Sequence, residues 1–381
     1  MEESDMKRMI AALMTAVFCI LPAAAVTGAP EVEAGAAILM EKETGTILYE
    51  QNAHEQMEPA SVTKIMTLLL VMEALDSGRI AVDDPVTVSS HAASMGGSQV
   101  YLKEGEQMTV RDMLKAVAVV SGNDAAVALA EHIAGSESGF VEMMNQRAAE
   151  LGMEDTTFQN CTGLPAAGHV TSAYDIALMS RELLKHPAIR EYTTIWMDTI
   201  RDGQFQLANT NKLVRFYEGT TGIKTGSTDS ALYCLSASAE RDGMELIAVV
   251  LKSPTSQKRF DSAKSMLNFG FANYALLDVK PDQALAPVDV LLGEKSTVQP
   301  VLADGGRILV DKSERNDVTT SIQMTDCVEA PVEAGQKLGE MEISVGGEVR
   351  QTIPIVASEA VPRITMPGIF RNLLSRLFMN R

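Results

Sequence analysis

Two spacings of apolar residues alternate along the chain. Residues 36–50, Ala-Ala-Ile-Leu-Met-Glu-Lys-Glu-Thr-Gly-Thr-Ile-Leu-Tyr-Glu, place β-prone runs on either side of Thr44-Gly45 and predict a hairpin. A helical period follows, with Pro59 suited to the first turn and Ile65, Leu68, Leu69 and Met72 forming one apolar face to about residue 77. Thr109 can cap a helix over 110–119, a polar break stands at Ser121-Gly122-Asn123, and a second helix runs from Asp124 to Ile133 before Gly135. Further helices are predicted over about 137–151 and, after a Thr171 cap, over 172–185. From Gly219 the period returns to two: Gly222 to Thr225 reads as a strand, and Ala231–Ala239 pairs through Asp242-Gly243 with Glu245–Lys252 as a long hairpin. A helix over 256–272 follows.

Strands at both ends with helices between them predict one antiparallel sheet, built from distant segments and covered by helices. Beyond Leu277 the runs become short and alternating, as in Val288–Leu292, Arg307–Val310 and Thr352–Val356, and predict a small all-β domain. The expected class is therefore α/β in the α+β sense, with a catalytic-sized unit over 30–276 and a β unit over 277–358.

The ends of the chain follow other rules. Met6-Lys7-Arg8 precedes an uncharged stretch from Met9 to Pro30 whose apolar centre, Ile10 to Leu21, is too short to span a bilayer and ends in small residues. Residues 1–29 thus read as a signal peptide, and the mature protein is expected outside the cytoplasmic membrane. Over 359–381 the apolar residues Ile369, Phe370, Leu373, Leu374, Leu377 and Phe378 share one helical face. Four arginines and no acid accompany them from Ala360 onward, which suits an amphipathic helix lying in an anionic lipid interface.

Composition narrows the chemistry. The chain has 381 residues, of which 46% are hydrophobic and 22% charged, as in a folded protein of two or three units. Its formal charge of −18 leaves no broad phosphate-neutralising surface, so no nucleic-acid partner is expected. Cys161, Cys234 and Cys327 remain after the leader, scattered and odd in number, and read as buried thiols; no His or Cys spacing supports a metal, and no cofactor is expected.

Three short motifs carry the chemistry. Ser61-Val62-Thr63-Lys64 opens a helix, so residues three apart set a hydroxyl beside an amine near unpaired backbone N–H groups. Ser121-Gly122-Asn123 lies in the break between helices, and Lys224-Thr225-Gly226 lies on a strand. Each alone is common. Together, in this order, they match the Ser/Lys, Ser-x-Asn and Lys-Thr-Gly set of penicillin-binding proteins and class A β-lactamases.

The neighbouring residues make the resemblance more specific. Pro59 to Lys64, Gly97-Ser98, Ser121 to Ala126, Phe158-Gln159-Asn160 with Gly163-Leu164, His169 to Asp175 and Gly222 to Gly226 resemble the low-molecular-mass penicillin-binding proteins with D-alanyl-D-alanine carboxypeptidase activity, over residues 33 to 275. That resemblance implies a penicillin-binding/serine β-lactamase-like catalytic domain acting on peptidoglycan stem peptides that end in D-Ala-D-Ala, and acylated by β-lactams. It implies Ser61 as nucleophile, Lys64 as base, and Ser121 and Asn123 in proton relay and amide binding. Lys224, Thr225, Gly226 and Ser227 would bind the substrate, the Ser227 and Ser61 N–H groups holding the oxyanion. Departures are Ser121-Gly122-Asn123 where relatives often have Ser-Ala-Asn, Thr221-Gly222 where they have Asp-Gly, and Ser227 where many have His.

Other readings compete with this one. A class A β-lactamase needs a glutamate for deacylation, and 155–160 read Asp-Thr-Thr-Phe-Gln-Asn without the E-x-x-L-N signature. His169 and Asp175 suggest a Ser/His/Asp triad, which the Ser/Lys pair makes unnecessary. Endopeptidase or transpeptidase action and a non-catalytic wall-binding scaffold complete the alternatives.

Overall fold

The computed structural model describes residues 28–281, 283–303 and 305–370. The expected leader falls almost wholly outside them, as do residues 371–381 of the expected tail.

The central sheet has five antiparallel strands: β1 Ala36–Glu41, β2 Ile47–Gln51, β3 Thr220–Thr228, β4 Leu232–Arg241 and β5 Met244–Ser253, in the order β2-β1-β5-β4-β3. Both faces are buried, which is why 246–251 read as an unbroken apolar run. Ile247, Val249 and Leu251 face one core with Ile38 and Met40, while Leu246, Ala248 and Val250 face the other with Ala37 and Leu39. The second face is closed by a helix at Ser256–Asn273, through Phe260, Ala263, Met266, Leu267 and Phe271. Strand β3 is an edge: one side pairs with β4 and the other carries no strand among the described residues.

The first face is covered by helices α1 Lys64–Asp76, α2 Val110–Val120, α3 Asn123–Ala134, α4 Glu137–Glu150 and α5 Ala173–Leu183. Helix α1 differs from the one-sided stripe expected of it. Met66, Thr67, Leu70 and Val71 are buried along with Ile65, Leu68, Leu69 and Met72, because α1 is wrapped by the other helices and the sheet. Thr109 caps α2 as expected, its hydroxyl accepting from Asp112 N. The cap of α5 is Ser172 and not Thr171: Ser172 has the extended backbone a cap requires and accepts from Asp175 N, whereas the Thr171 hydroxyl pairs with Thr156.

Beyond the long helix, Tyr274–Asp278 forms a strand that pairs with Arg307–Asp311. The remaining residues form small sheets around two apolar clusters, one containing Met341, Ile343, Ile353 and Ile355 and the other Val288, Val290, Val332 and Val361. The α+β arrangement with a C-terminal β unit is thus the one the sequence predicts. No helix among the described residues is long and apolar enough to cross a membrane.

Candidate active site

The site is assembled where α1, the α2–α3 break and edge strand β3 converge. Ser61 sits in a 3₁₀ turn, Ala60–Thr63, that feeds directly into α1. The preceding residue, Ala60, has φ +48, a conformation that costs about 1 kcal/mol for an L-residue. Its neighbours hold it there. The Thr63 hydroxyl donates to Ala60 O at 2.9 Å, and Gly163 packs so close that a Cβ there would lie 1.8 Å from the same oxygen. Thr63 Oγ1 also lies 2.8 Å from His169 Nε2, and His169 Nδ1 accepts from the Gln159 N–H at 3.0 Å. A ring nitrogen that accepts a backbone N–H carries no proton, so the neutral imidazole keeps its hydrogen on Nε2 and donates to Thr63. Burial pushes the His169 pKa down to about 4, which keeps the ring neutral.

Lys64 is fully buried, and its Nζ has three neighbours: Ser61 Oγ at 3.0 Å, Asn123 Oδ1 at 2.6 Å and Thr162 O at 2.7 Å. Burial lowers its pKa to about 7, against smaller opposing contributions from Cys161 and Asp124. Asn123 is fixed in turn. Its N–H donates to Ser98 O and its Nδ2 to Gly96 O, while the Asp124 carboxylate accepts from Val100 N and Leu102 N, tying the 96–102 loop to the start of α3. Gly97 has φ +76, and a Cβ on it would meet Asn123 Nδ2 at 2.8 Å. Ser121 ends α2 in the left-handed region, and its buried Oγ has no hydrogen-bond partner among the described residues. A buried hydroxyl left this way is available to an incoming group.

On β3, Lys224 is buried and donates to Thr225 O at 2.9 Å. Burial, with added repulsion from Lys64 and Arg259, holds its pKa well below the usual lysine range. Thr225 Oγ1 donates to Thr210 Oγ1 at 2.7 Å. Gly226 faces the Ser61 turn so closely that a Cβ would lie 2.9 Å from the backbone nitrogens of Ser61 and Val62. The buried Arg259 guanidinium donates to Gly226 O and Cys234 O from behind the strand. Ser227 is the exposed residue that follows.

The distant motifs therefore meet. The His169/Asp175 pair does not join them: His169 supports the turn behind Ser61, and Asp175 accepts from Asp155 N and Thr156 Oγ1. The sequence reading did not single out Thr63, Thr162, Thr210 or Arg259. Thr162 contributes a backbone carbonyl, which no side chain advertises; the available signal was Asn160, whose Oδ1 accepts from Thr162 N and Gly163 N and shapes that turn. Cys161 and Cys234 are buried as expected, but Cys327 is exposed because it lies on the outer face of a short β-unit strand.

A family model described as D-alanyl-D-alanine carboxypeptidase matches residues 23–255, and one described as the C-terminal domain of penicillin-binding protein 5 matches residues 279–363. The chain belongs to the D-alanyl-D-alanine carboxypeptidase family. This carboxypeptidase, a serine-type hydrolase, is 47% identical to the D-alanyl-D-alanine carboxypeptidase DacF of Bacillus subtilis over 86% of its own length and 85% of the relative's. Its fold is similar to penicillin-binding protein 5 of Haemophilus influenzae, with a TM-score of 0.77 at 30% identity, covering 88% of this chain and 99% of the other. Penicillin-binding protein D2 of Listeria monocytogenes, solved in its ampicillin-bound form, matches with a TM-score of 0.59 at 34% identity, covering 64% and 100%.

The His169 support gives a testable consequence. His169→Ala leaves the Gln159 N–H without its acceptor and opens a cavity behind Thr63, so unfolding free energy should fall by about 2–3 kcal/mol in urea titrations. Acylation by a penicillin should slow at least tenfold as Ala60 relaxes; an unchanged acylation rate would show that the turn does not depend on this support. The wild-type fold should also lose stability between about pH 6.5 and 4. In that range the unfolded chain binds a proton at His169 that the folded chain, with its depressed pKa, does not.

Proposed function

We propose that the carboxypeptidase removes the terminal D-alanine from peptidoglycan stem pentapeptides through an acyl-enzyme on Ser61. The observation that carries this reading is the set of three neighbours around Lys64 Nζ. A neutral amine has two N–H groups and one lone pair. Two of the neighbours, Asn123 Oδ1 and Thr162 O, are carbonyl oxygens that can only accept, so they take the two N–H groups. The lone pair is left for the hydroxyl of Ser61, 3.0 Å away. A pKa near 7 means that about half of the molecules carry this neutral amine at neutral pH, enough for general-base work.

In the first step Ser61 Oγ attacks the carbonyl carbon between the two D-alanines as its proton moves to Lys64 Nζ. The unpartnered Ser121 hydroxyl is suited to pass a proton to the departing amine, the C–N bond breaks, and free D-alanine leaves. Water then hydrolyses the ester and restores Ser61. The oxyanion falls to the backbone N–H groups of Ser61 and Ser227, near the helix start, where developing negative charge is favoured. Asn123 holds both Lys64 and the substrate amide. Lys224 and Thr225 receive the terminal carboxylate, restricting the reaction to a C-terminal residue. The free edge of β3, kept bare at Gly226, lets the peptide pair as an added strand.

β-Lactams acylate the same hydroxyl. The stretch 155–160 offers no glutamate for rapid deacylation, so the adduct is long-lived and the protein is a target of these drugs. Export by the 1–29 leader places the enzyme on the outer face of the cytoplasmic membrane, and the basic, apolar 359–381 tail attaches it peripherally to that surface.

Incubation with a labelled penicillin should give one adduct per chain on the Ser61 peptide, decaying over many minutes. Incubation with a pentapeptide ending in D-Ala-D-Ala should release one D-alanine per peptide. Rapid turnover of a chromogenic cephalosporin would instead indicate a β-lactamase. Cleavage of cross-linked muropeptides in preference to pentapeptides would indicate an endopeptidase, and cross-linked products a transpeptidase.

A further inference from the structure

The β unit gathers exposed apolar side chains at one corner. Along the strand Val288–Leu291, Val288 and Val290 are buried, whereas Leu291 is 53% exposed. Leu292, which follows, is 51% exposed and has φ +57, a left-handed conformation unfavourable for leucine. Packing of the β unit accounts for neither leucine.

The chain leading to the tail is fastened to this corner. Ile364 N donates to Leu292 O at 2.8 Å, Glu294 N donates to Pro362 O at 2.9 Å, and Gly293 bridges to Arg363. Gly293 has no room for a side chain, since a Cβ would lie 2.7 Å from both Lys295 O and Val290 Cγ1. Val361 is fully buried and exchanges two backbone hydrogen bonds with Val332. The exit of the tail is thus fixed beside Leu291 and Leu292. Two residues past Ile364, about 7 Å of extended chain at most, Met366 is 80% exposed, and Phe370 is 65% exposed on the helical residues 366–370. Arg363 pairs with Glu329 at 2.9 Å and Lys295 pairs with Glu359, which offsets those two acids.

We propose that Leu291 and Leu292 join Met366, Ile369 and Phe370 in one lipid-contacting surface, so that the β unit docks on the bilayer in a fixed orientation and is not merely tethered to it. The proposal rests on the reading of the 359–381 tail as membrane-attached and adds a second contact from the folded β unit. A bilayer suits the surface better than a second copy of the chain. Five side chains fall short of the roughly 800 Å² per partner that a stable protein interface buries. The surface also continues into a sequence whose leucines, interspersed with arginines and free of acids, fit an anionic lipid interface.

The test uses the full mature chain and vesicles of phosphatidylglycerol and phosphatidylethanolamine. Leu291→Ser/Leu292→Ser should lower the vesicle partition constant about tenfold, with unchanged D-alanine release from a soluble pentapeptide and an unchanged unfolding midpoint. As a second measurement, Leu292→Trp should gain an indole signal that brominated lipids quench. A parallel variant, Leu373→Ser/Leu374→Ser/Leu377→Ser, tests the tail itself. If the tail variant loses binding while the corner variant keeps it, and the introduced indole is not quenched, the tail reading stands and the docked corner is overturned. If wild type does not bind vesicles, both are overturned. If the corner variant changes only self-association in sedimentation, the corner belongs to a second copy and the proposal fails.

Discussion

Replacing Lys64 by methionine should slow acylation of Ser61 by about a thousandfold, within the range that loss of a general base produces. Methionine keeps most of the side-chain volume and removes the amine, so the helix that carries it should persist. Two opposing effects act on the fold. Asn123 Oδ1 and Thr162 O lose their donor, which costs about 1–3 kcal/mol each, while a desolvated amine is removed from the core. The unfolding midpoint should therefore move much less than the rate. The discriminating feature is shared loss: acylation by a penicillin and turnover of the pentapeptide should fall by similar factors with KM little altered, since the amine acts on the hydroxyl and not on substrate binding. Acylation within tenfold of wild type would assign the base elsewhere.

The second large effect concerns Lys224. In Lys224→Ala, kcat/KM for a pentapeptide with a free C-terminal carboxylate should fall by about 10²–10³, because that carboxylate then loses the buried ammonium that meets it. A substrate capped as the C-terminal amide supplies the control. Wild type should prefer the acid to the amide by a comparable factor, and the variant should lose that preference. A proton count tests the same point. Burial and the cations Lys64 and Arg259 hold the Lys224 pKa low, and an arriving carboxylate reverses that bias. Binding of the acid substrate should therefore raise the Lys224 pKa, measurable as a dependence of binding heat on the ionisation enthalpy of the buffer over the pH range in which the free side chain titrates. Binding with no proton uptake at any pH and an unchanged acid-to-amide ratio in Lys224→Ala would remove Lys224 from carboxylate recognition.

The parts legible in the sequence are those that repeat or carry distinctive side chains. The unbroken apolar run of Leu246 to Leu251 and the cap at Thr109 each follow from local rules, and the structure bears them out. Three residues of separation placed Lys64 beside Ser61. What escaped was carried by backbone or by irregular chain. Thr162 supplies a carbonyl oxygen, so its identity gives no hint of its contact with Lys64. Thr210 reaches Thr225 from the end of a short hairpin, Met197–Ile200 with Phe205–Ala208, whose four-residue strands are too brief for a reliable period. The support of Ala60 by Thr63, His169 and Gly163 spans more than a hundred residues and depends on a left-handed backbone at an alanine, which propensity argues against. Helix α1 read as one-sided because Thr67 and Lys64 are polar, yet both find buried partners, Thr67 on Cys161 O and Lys64 on its three oxygens.

These contacts make the state of one amine the centre of the chemistry. The most direct measurement is the pH dependence of the second-order rate of acylation by a penicillin, followed from pH 5 to 10 on the wild-type enzyme. Protonated Lys64 has no lone pair for the hydroxyl of Ser61, so the rate should rise with pH and reach half its limit near 7, the value to which burial brings this lysine. A midpoint at the ordinary lysine value near 10, or a rate already at its limit at pH 5, would contradict a neutral Lys64 as the base.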